Sequence, residues 1–388
     1  MNKNEIIDFV INIISPESID VSNDRFAKMT MTNWADFIEI ANKNFVAPII
    51  YQKLKLKHNI DLFPLTVKDQ ISRNAQIHLM KNLRINSVFI QICKILKDHK
   101  VDFILLKGID LQYRLYQNPA LRPMLDIDIL LKDKDVDKVT NHFISLGAKQ
   151  IRVSESKFID SLKHHDSPII FNQIAIEFHR SIVDSYDITK LGHLNIWDYS
   201  EYTVIEGIEV KVLIPELLII YLCHHIFSTI QGGKIKLFWY YDIFLFFETF
   251  RNSLNEELIL SLLEKTGEPL IFYKTLSQVK SIFASTCFPQ KIDDHLFEVD
   301  RNEIFQAMLA IHVTKVPPHY IMKFKLIRGF SPKAKYIFHK FFPSISYIND
   351  AYKPSNHFQF AFLYLKHQIH YLNLALKAFL LYLYNKTK

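Results

Sequence analysis

The sequence predicts an α+β protein, a mixed β-sheet core with helical regions before and after it. Apolar residues recur at three- and four-residue spacing over the first hundred positions and again from Pro215 onward, which is helical periodicity. Between Val101 and Leu213 the period shortens to two, in short β-prone runs separated by turn residues. Only 8 glycines occur in 388 residues and no unit of 20 to 50 positions repeats, which argues against solenoids and propellers. The expected division is 1–100 helical, 101–214 an α+β core, and 215–388 helical with a basic tail.

Taken in order, "WADFIEIANKNFVAPIIYQKL" reads as two short helices broken near Pro48, and "VKDQISRNAQIHLMKNLRINSVFIQICKILKDH" as one long amphipathic helix. The core then offers "VDFILLKG", "DIDILL", "AKQIRV", "SPIIFN", "IAIEFH", "YTVIEG" and "IEVKVLI" as strands. Two helices interrupt them, "IDLQYRLYQ" after Gly108 and "KDVDKVTNHFISLG" after Asp133, so the order is β-α-β-α-β followed by hairpins. Pro215 suits a first helical turn, and "PELLIIYLCHHIFSTI", "IKLFWYYDIFLFFETF", "NEELILSLLEKTG" and "EPLIFYKTLSQVKSIF" follow as helices. Turn residues in "KVPPHY", "GFSPKAK" and "DAYKPSN" separate the last helical stretches.

At 49% hydrophobic residues the chain has material for real cores. Met1 to Ile14 mixes charged residues with aliphatics and lacks the pattern of a secretory leader, while Cys93, Cys223 and Cys287 stand apart among apolar neighbours without disulfide or metal spacing. A reducing, cytoplasmic location is expected. Phe358 to Tyr384 is strongly apolar but interrupted by Lys366, His367, His370 and Lys377, so no spanning helix is expected. The net charge of +7 is concentrated at the end, where Val313 to Lys388 carries 12 Lys or Arg against Asp350 alone. That tail suits a polyanion, whether nucleic acid, membrane surface or polyphosphate, or else forms the solvated face of a helical domain.

The chemistry is concentrated in "LLKGIDLQYRLYQNPALRPMLDIDILL". Side chains at i and i+2 of a strand share a face, so Asp126 and Asp128 project together while Ile127 and Ile129 enter the core. Two carboxylates so placed repel unless a cation joins them, and Mg²⁺ (or Mn²⁺) takes one or two carboxylates together with the phosphates of a bound nucleotide. Glu177 in "IAIEFHR" is the best third carboxylate. Upstream, the strand–Gly108–helix junction offers backbone N–H groups to a phosphate, with Lys107 and Arg122 as cations beside it. His165 and His179 flank Glu177 and are candidate acceptor-side bases, joined by His225 and Asp242 from the following helices.

Together, "LLKG", "LRPMLDIDILL" and "IEFH" resemble the DNA polymerase β-like nucleotidyltransferase superfamily, and within it the group called uncharacterised nucleotidyltransferases. The helices before and after resemble that group more loosely. The resemblance implies a polymerase β-like core, with Asp126, Asp128 and Glu177 as catalytic metal ligands and Gly108 in the loop that holds a nucleoside triphosphate (NTP) donor. The superfamily commonly has Gly-Gly or Gly-Ser in that loop and an Asp pair about ten residues on. Here Ile109 follows Gly108 and the pair comes 18 positions later, so Lys107 and Arg122 are expected to replace the missing serine contact.

The expected activity is Mg²⁺-dependent transfer of a nucleoside monophosphate from an NTP to a hydroxyl or phosphate acceptor, with release of pyrophosphate. The acceptor is left open among small molecules, peptides, proteins and RNA. Two alternatives keep the fold: a non-catalytic nucleotide- or nucleic-acid-binding regulator, and a transferase of another phosphate-linked group such as a sugar or phosphocholine.

Overall fold

The structure is a computed structural model of the 388-residue chain. It describes all residues except 16–28, 57–59, 117, 186, 188, 232–234, 285–287, 310–323, 325–326, 328 and 387–388. The "KVPPHY" turn and Cys287 lie outside the described residues.

Among the described residues, four helices open the chain: α1 (Lys3–Ile14), α2 (Met31–Lys43), α3 (Ala47–Leu56) and α4 (Leu65–Asp98). The core follows as β1 (Phe103–Leu105), α5 (Lys107–Leu115), β2 (Asp126–Leu131), α6 (Asp133–Ser145), β3 (Lys149–Gln150), α7 (Lys157–Ser161), β4 (Ile169–Phe171), β5 (Ile174–His179), β6 (Ser200–Ile205) and β7 (Ile208–Leu213). Helices complete it: α8 (Pro215–Gln231), α9 (Leu237–Phe250), α10 (Glu256–Thr266), α11 (Pro269–Ile282), α12 (Gln290–Asp293), α13 (Arg301–Leu309), α14 (Phe330–Phe341), α15 (Ile345–Tyr352) and α16 (His357–Lys386). The seven strands form one mixed sheet in the order β3-β4-β5-β2-β1-β7-β6, as an α+β core requires.

Local chemistry explains most boundaries. Asn2 caps α1 by accepting from the Glu5 amide at 3.0 Å, and Glu5 accepts from the Asn2 amide at 2.8 Å. The break between α2 and α3 falls at Asn44–Val46, where Phe45 adopts φ 58°, and not at Pro48. Proline is tolerated there because a first-turn amide has no helical partner to lose. Pro215 does open α8, and Gly267, at φ 70°, closes α10 in the left-handed cap that lacks a Cβ penalty. β4 and β5 are joined by Asn172 and Gln173, both at positive φ, the two-residue turn that fits strand twist and pairs Phe171 with Ile174.

The chain divides into two compact units, and the division runs through β2 after Asp128. The first holds residues 1–128 and 193–316: the opening helices, β1, β6, β7, the start of β2 and helices α8 to α13. Its core is aromatic. Phe9 meets Phe37 at 5.7 Å, Trp34 meets Phe63 at 5.0 Å and Phe244 meets Phe283 at 5.1 Å. Cys93 and Cys223 are buried within it, as their apolar neighbours suggest. β1 runs parallel to β7, pairing Ile104 with Lys211, and α8 departs from the end of that strand.

The second unit, residues 129–192 and 317–388, holds the rest of β2 with β3 to β5, α6, α7 and the last three helices. Phe143 of α6 stacks edge-on against Phe171 at 5.1 Å and tilts against Phe178 at 5.4 Å, covering the β4–β5 hairpin. Ile159, Ile327 and Tyr336 form a smaller cluster. Among the described residues no helix is long and apolar enough to cross a membrane.

Candidate active site

Asp126 and Asp128 begin β2, with Ile127 fully buried between them. Strand alternation gives both carboxylates one face; Asp126 is partly exposed and Asp128 is 7% exposed. The Leu106 amide donates to the Asp128 carbonyl at 3.2 Å, which joins the end of β1 to β2 and brings the β1–α5 junction to the aspartates. Lys107 Nζ lies 3.9 Å from Asp128 Oδ1 and 5.5 Å above the Tyr221 ring of α8. The Lys107 backbone, at φ 35°, is in the left-handed region that a lysine enters only when its surroundings impose it.

Helix α5 starts at Lys107, two residues earlier than its sequence suggests, so the Gly108 amide is in its first turn. No side chain caps this end: the N-cap is Leu106, whose side chain makes no capping hydrogen bond. First-turn amides at the positive end of a helix are suited to a phosphate. A Cβ on Gly108 would sit 3.5 Å from Met124 Sδ and 3.7 Å from the Asp126 carbonyl, in ordinary van der Waals contact with the segment that leads into β2.

Arg122 turns inward. It is 6% exposed, and its Nε and Nη2 donate to the Asp242 carboxylate at 3.0 and 2.9 Å, while Nη1 donates to the Gly108 carbonyl at 3.3 Å. Tyr116 donates to the same Asp242 carboxylate at 2.7 Å. Burial lowers the proton affinity of Arg122; the Asp242 charge and its hydrogen bonds outweigh this, and the guanidinium holds its proton more tightly than an exposed arginine. Burial, then the Asp242 charge, pushes the Tyr116 phenol well above its ordinary range. Asn82 of α4 donates to the Arg122 carbonyl at 2.8 Å and accepts from the Met124 amide at 3.4 Å. The segment between the phosphate junction and the aspartates is therefore held from α4 and α9 at once.

In the first unit the structure thus gathers Lys107, Gly108, Arg122, Asp126, Asp128 and Asp242. His225 packs edge-on against Trp239 at 5.5 Å, while its neighbour His224 is buried and bonded through Nδ1 to Glu268 at 2.8 Å.

In the second unit Glu177 is a half-buried member of β5 between buried Ile176 and Phe178. His179, two residues on, has its Nε2 3.7 Å from Glu177 Oε2, and His165 Nε2 lies at the same distance. His165 bridges to His179 in antiparallel fashion, and its Nδ1 donates to the Asp166 carbonyl at 2.6 Å. His164 completes a cluster of three imidazoles, 4.5 Å from His165 and 5.1 Å from His179, and is held by Asp184 at 2.5 Å. Arg180 fixes the end of β5 through Asp133, Asp137 and Asp166 at 2.6, 2.6 and 2.8 Å.

Several contributors carry no sequence signal of their own. Asn82 and Tyr116 read as ordinary helix residues, and Tyr221 as part of an apolar helix; the basic, charged character of Arg180 beside "IEFH" was the one visible hint.

The carboxylate oxygens of Asp126 and Asp128 are hard donors, the kind a divalent cation such as Mg²⁺ takes. Lys107 and the α5 amides add the positive surroundings that a nucleotide's phosphates need. No curated protein matches the chain. Residues 30–284, well over half of the chain and spanning both aspartates and Glu177, match the model of the uncharacterised nucleotidyltransferases, and the chain belongs to that family of nucleotide-using transferases.

Proposed function

We propose that the chain transfers a nucleoside monophosphate from an NTP to a hydroxyl or phosphate acceptor in a divalent-metal-dependent reaction. The observation that carries this reading is the meeting of two aspartates on one strand face with a lysine 3.9 Å from the second, at the uncapped start of a helix. Asp126 and Asp128 would hold the metal, with Glu177 as the third carboxylate that the family resemblance implies. A bound divalent cation supplies neutralisation of the phosphates and of the departing pyrophosphate.

The chain's own residues do the rest. Lys107 and the first amides of α5 bind the phosphates and align the bond to be broken. The acceptor oxygen forms its bond to the α-phosphorus as the α–β bridging P–O bond breaks, and pyrophosphate leaves with that electron pair. The proton of a hydroxyl acceptor passes to Glu177 or to His165 beside it, with His179 orienting the carboxylate. Arg122 and Asp242 act from behind this line: with two of its nitrogens on Asp242, Arg122 holds the Gly108 carbonyl in place. Asp242 thus supports the donor side in this reading.

The test is incubation with each α-labelled NTP, Mg²⁺ or Mn²⁺ and a cell extract, read as label transferred to any acceptor. Asp126→Ala with Asp128→Ala is expected to abolish transfer, and unchanged labelling by that variant would refute the proposal. A regulator that merely binds a polyanion would show no transfer and would lose affinity steeply with salt.

A further inference from the structure

Lys107 serves the phosphates in the proposed reaction, yet its ammonium lies against a carboxylate. Nζ is 3.9 Å from Asp128 Oδ1, and the two side chains are 15% and 7% exposed. At that distance, and largely screened from bulk water, an ammonium and a divalent cation at the same carboxylate repel each other. The oxygens of Asp128 are thus open to two rival positive charges.

The fold holds the ammonium in that place. Lys107 follows buried Leu105 and Leu106 straight into α5, and its backbone, at φ 35°, sits in the left-handed region that a residue with a Cβ enters only when its neighbours impose it. The buried Tyr221 ring lies 5.5 Å from Nζ and gives the charge an aromatic face. Leu106, at the N-cap, makes no capping hydrogen bond, so the first amides of α5 add the positive end of a helix to the same junction.

The charges then decide which ligand the junction accepts. Asp126 and Asp128 bring two negative charges to one strand face, and Lys107 sets one positive charge against them. A divalent cation arriving alone meets aspartates already half neutralised, with a fixed cation beside one of its ligands. A triphosphate alters that balance, because its oxygens offer the ammonium another anion and the rotatable lysine stem can turn to it without moving α5. Resting on the transferase reading of Asp126 and Asp128 as metal ligands, we propose that Lys107 is an internal competitor of the metal. It opposes a divalent cation at Asp128 and yields when phosphates take its charge, so the cation is held weakly ahead of the nucleotide and firmly with it.

The experiment follows Mn²⁺ binding to the full chain through loss of the free-ion paramagnetic resonance signal, and binding of inorganic triphosphate with Mg²⁺ by calorimetry, with circular dichroism as a check on folding. Lys107→Met keeps the stem and removes the charge. It is expected to bind Mn²⁺ alone at least about tenfold more tightly than wild type, the repulsion of a unit and a divalent charge about 5 Å apart even at water's dielectric constant. The same variant is expected to bind the Mg²⁺–triphosphate complex about tenfold more weakly, from loss of one charged contact. Damage to the fold lowers both affinities, so opposite changes in one variant identify the competitor. Lys107→Gln should tighten Mn²⁺ binding likewise, and Lys107→Arg should keep it weak. Unchanged or weaker Mn²⁺ binding in folded Lys107→Met or Lys107→Gln overturns the proposal while leaving the metal site standing. Mn²⁺ binding that survives Asp126→Ala with Asp128→Ala overturns the metal site itself, and the proposal with it.

Discussion

Replacing Asp242 separates what the buried Arg122 pair contributes to folding from what it contributes to the site. Asp242→Ala removes the acceptor of two Arg122 nitrogens, at 3.0 and 2.9 Å, and of Tyr116, at 2.7 Å. Arg122 and Asp242 are 6% and 2% exposed, so water cannot take over those bonds. Stranding a buried charge in this way costs about 3–5 kcal/mol, a large share of the roughly 5–15 kcal/mol that holds a typical domain together. Buried ion pairs replaced as a unit by apolar residues often cost little. Arg122→Met with Asp242→Leu and Tyr116→Phe is therefore expected to unfold in urea within about 1–2 kcal/mol of wild type. It would nonetheless lose the Nη1 bond to the Gly108 carbonyl, so Mg²⁺–NTP affinity measured by calorimetry should fall, by roughly tenfold for one charged hydrogen bond. Wild-type affinity in a folded triple variant would refute the positioning role; a cost below about 1 kcal/mol for Asp242→Ala would refute the energetic argument.

Two further perturbations address the donor loop and the last helices. Gly108→Ala meets neighbours at 3.5 Å and beyond, so the fold should tolerate it or gain up to about 1 kcal/mol from helix propensity. NTP affinity should fall if the phosphates approach that backbone, and unchanged affinity would remove Gly108 from the donor site. Burial holds the His367 imidazole below its ordinary 6.5, acting against Glu155 and the Lys340 carbonyl bond and together with His370 and Lys340. A base depressed in the folded state stabilises fully above its unfolded value, and that stabilisation is lost as pH falls through the lower folded value. Hydrogen-exchange protection of α14 to α16 should therefore weaken below about pH 6. His367→Gln can still donate to Lys340 and accept from Tyr352, and should abolish that dependence; an equal acid response in the variant would exclude His367 as its source.

The aspartate pair was legible because a strand's two-residue period is enough to put neighbours on one face, and no distant information is needed. Gly108 and Lys107 were legible for the same reason, since a strand–glycine–helix junction is written in consecutive residues. The α2–α3 break, expected near Pro48, falls a few residues earlier, because proline is a breaker only where an amide is needed, whereas Phe45 turns the chain with no residue-type signal. The partners of Arg122 were hidden. Asp242 lies 120 positions away in an apolar helix, and nothing local distinguishes a carboxylate bound for a guanidinium from one bound for a metal.

That asymmetry bears on how the site works. Of the residues picked out by charge alone, Asp126 and Asp128 share a strand face beside Lys107, while Arg122 and Asp242 neutralise each other out of solvent. A charged residue in a nucleotide site contributes through where its counter-charge sits: Arg122 with Asp242 adds almost no net field, but fixes a carbonyl and two chain segments in place. Lys107, on the strained junction and within 3.9 Å of Asp128, keeps its charge on the side where phosphates would lie. Moving that charge is thus the sharper probe of donor binding, because Lys107→Met removes field without unmaking the Arg122 clamp, whereas any change at Arg122 alters position and field together.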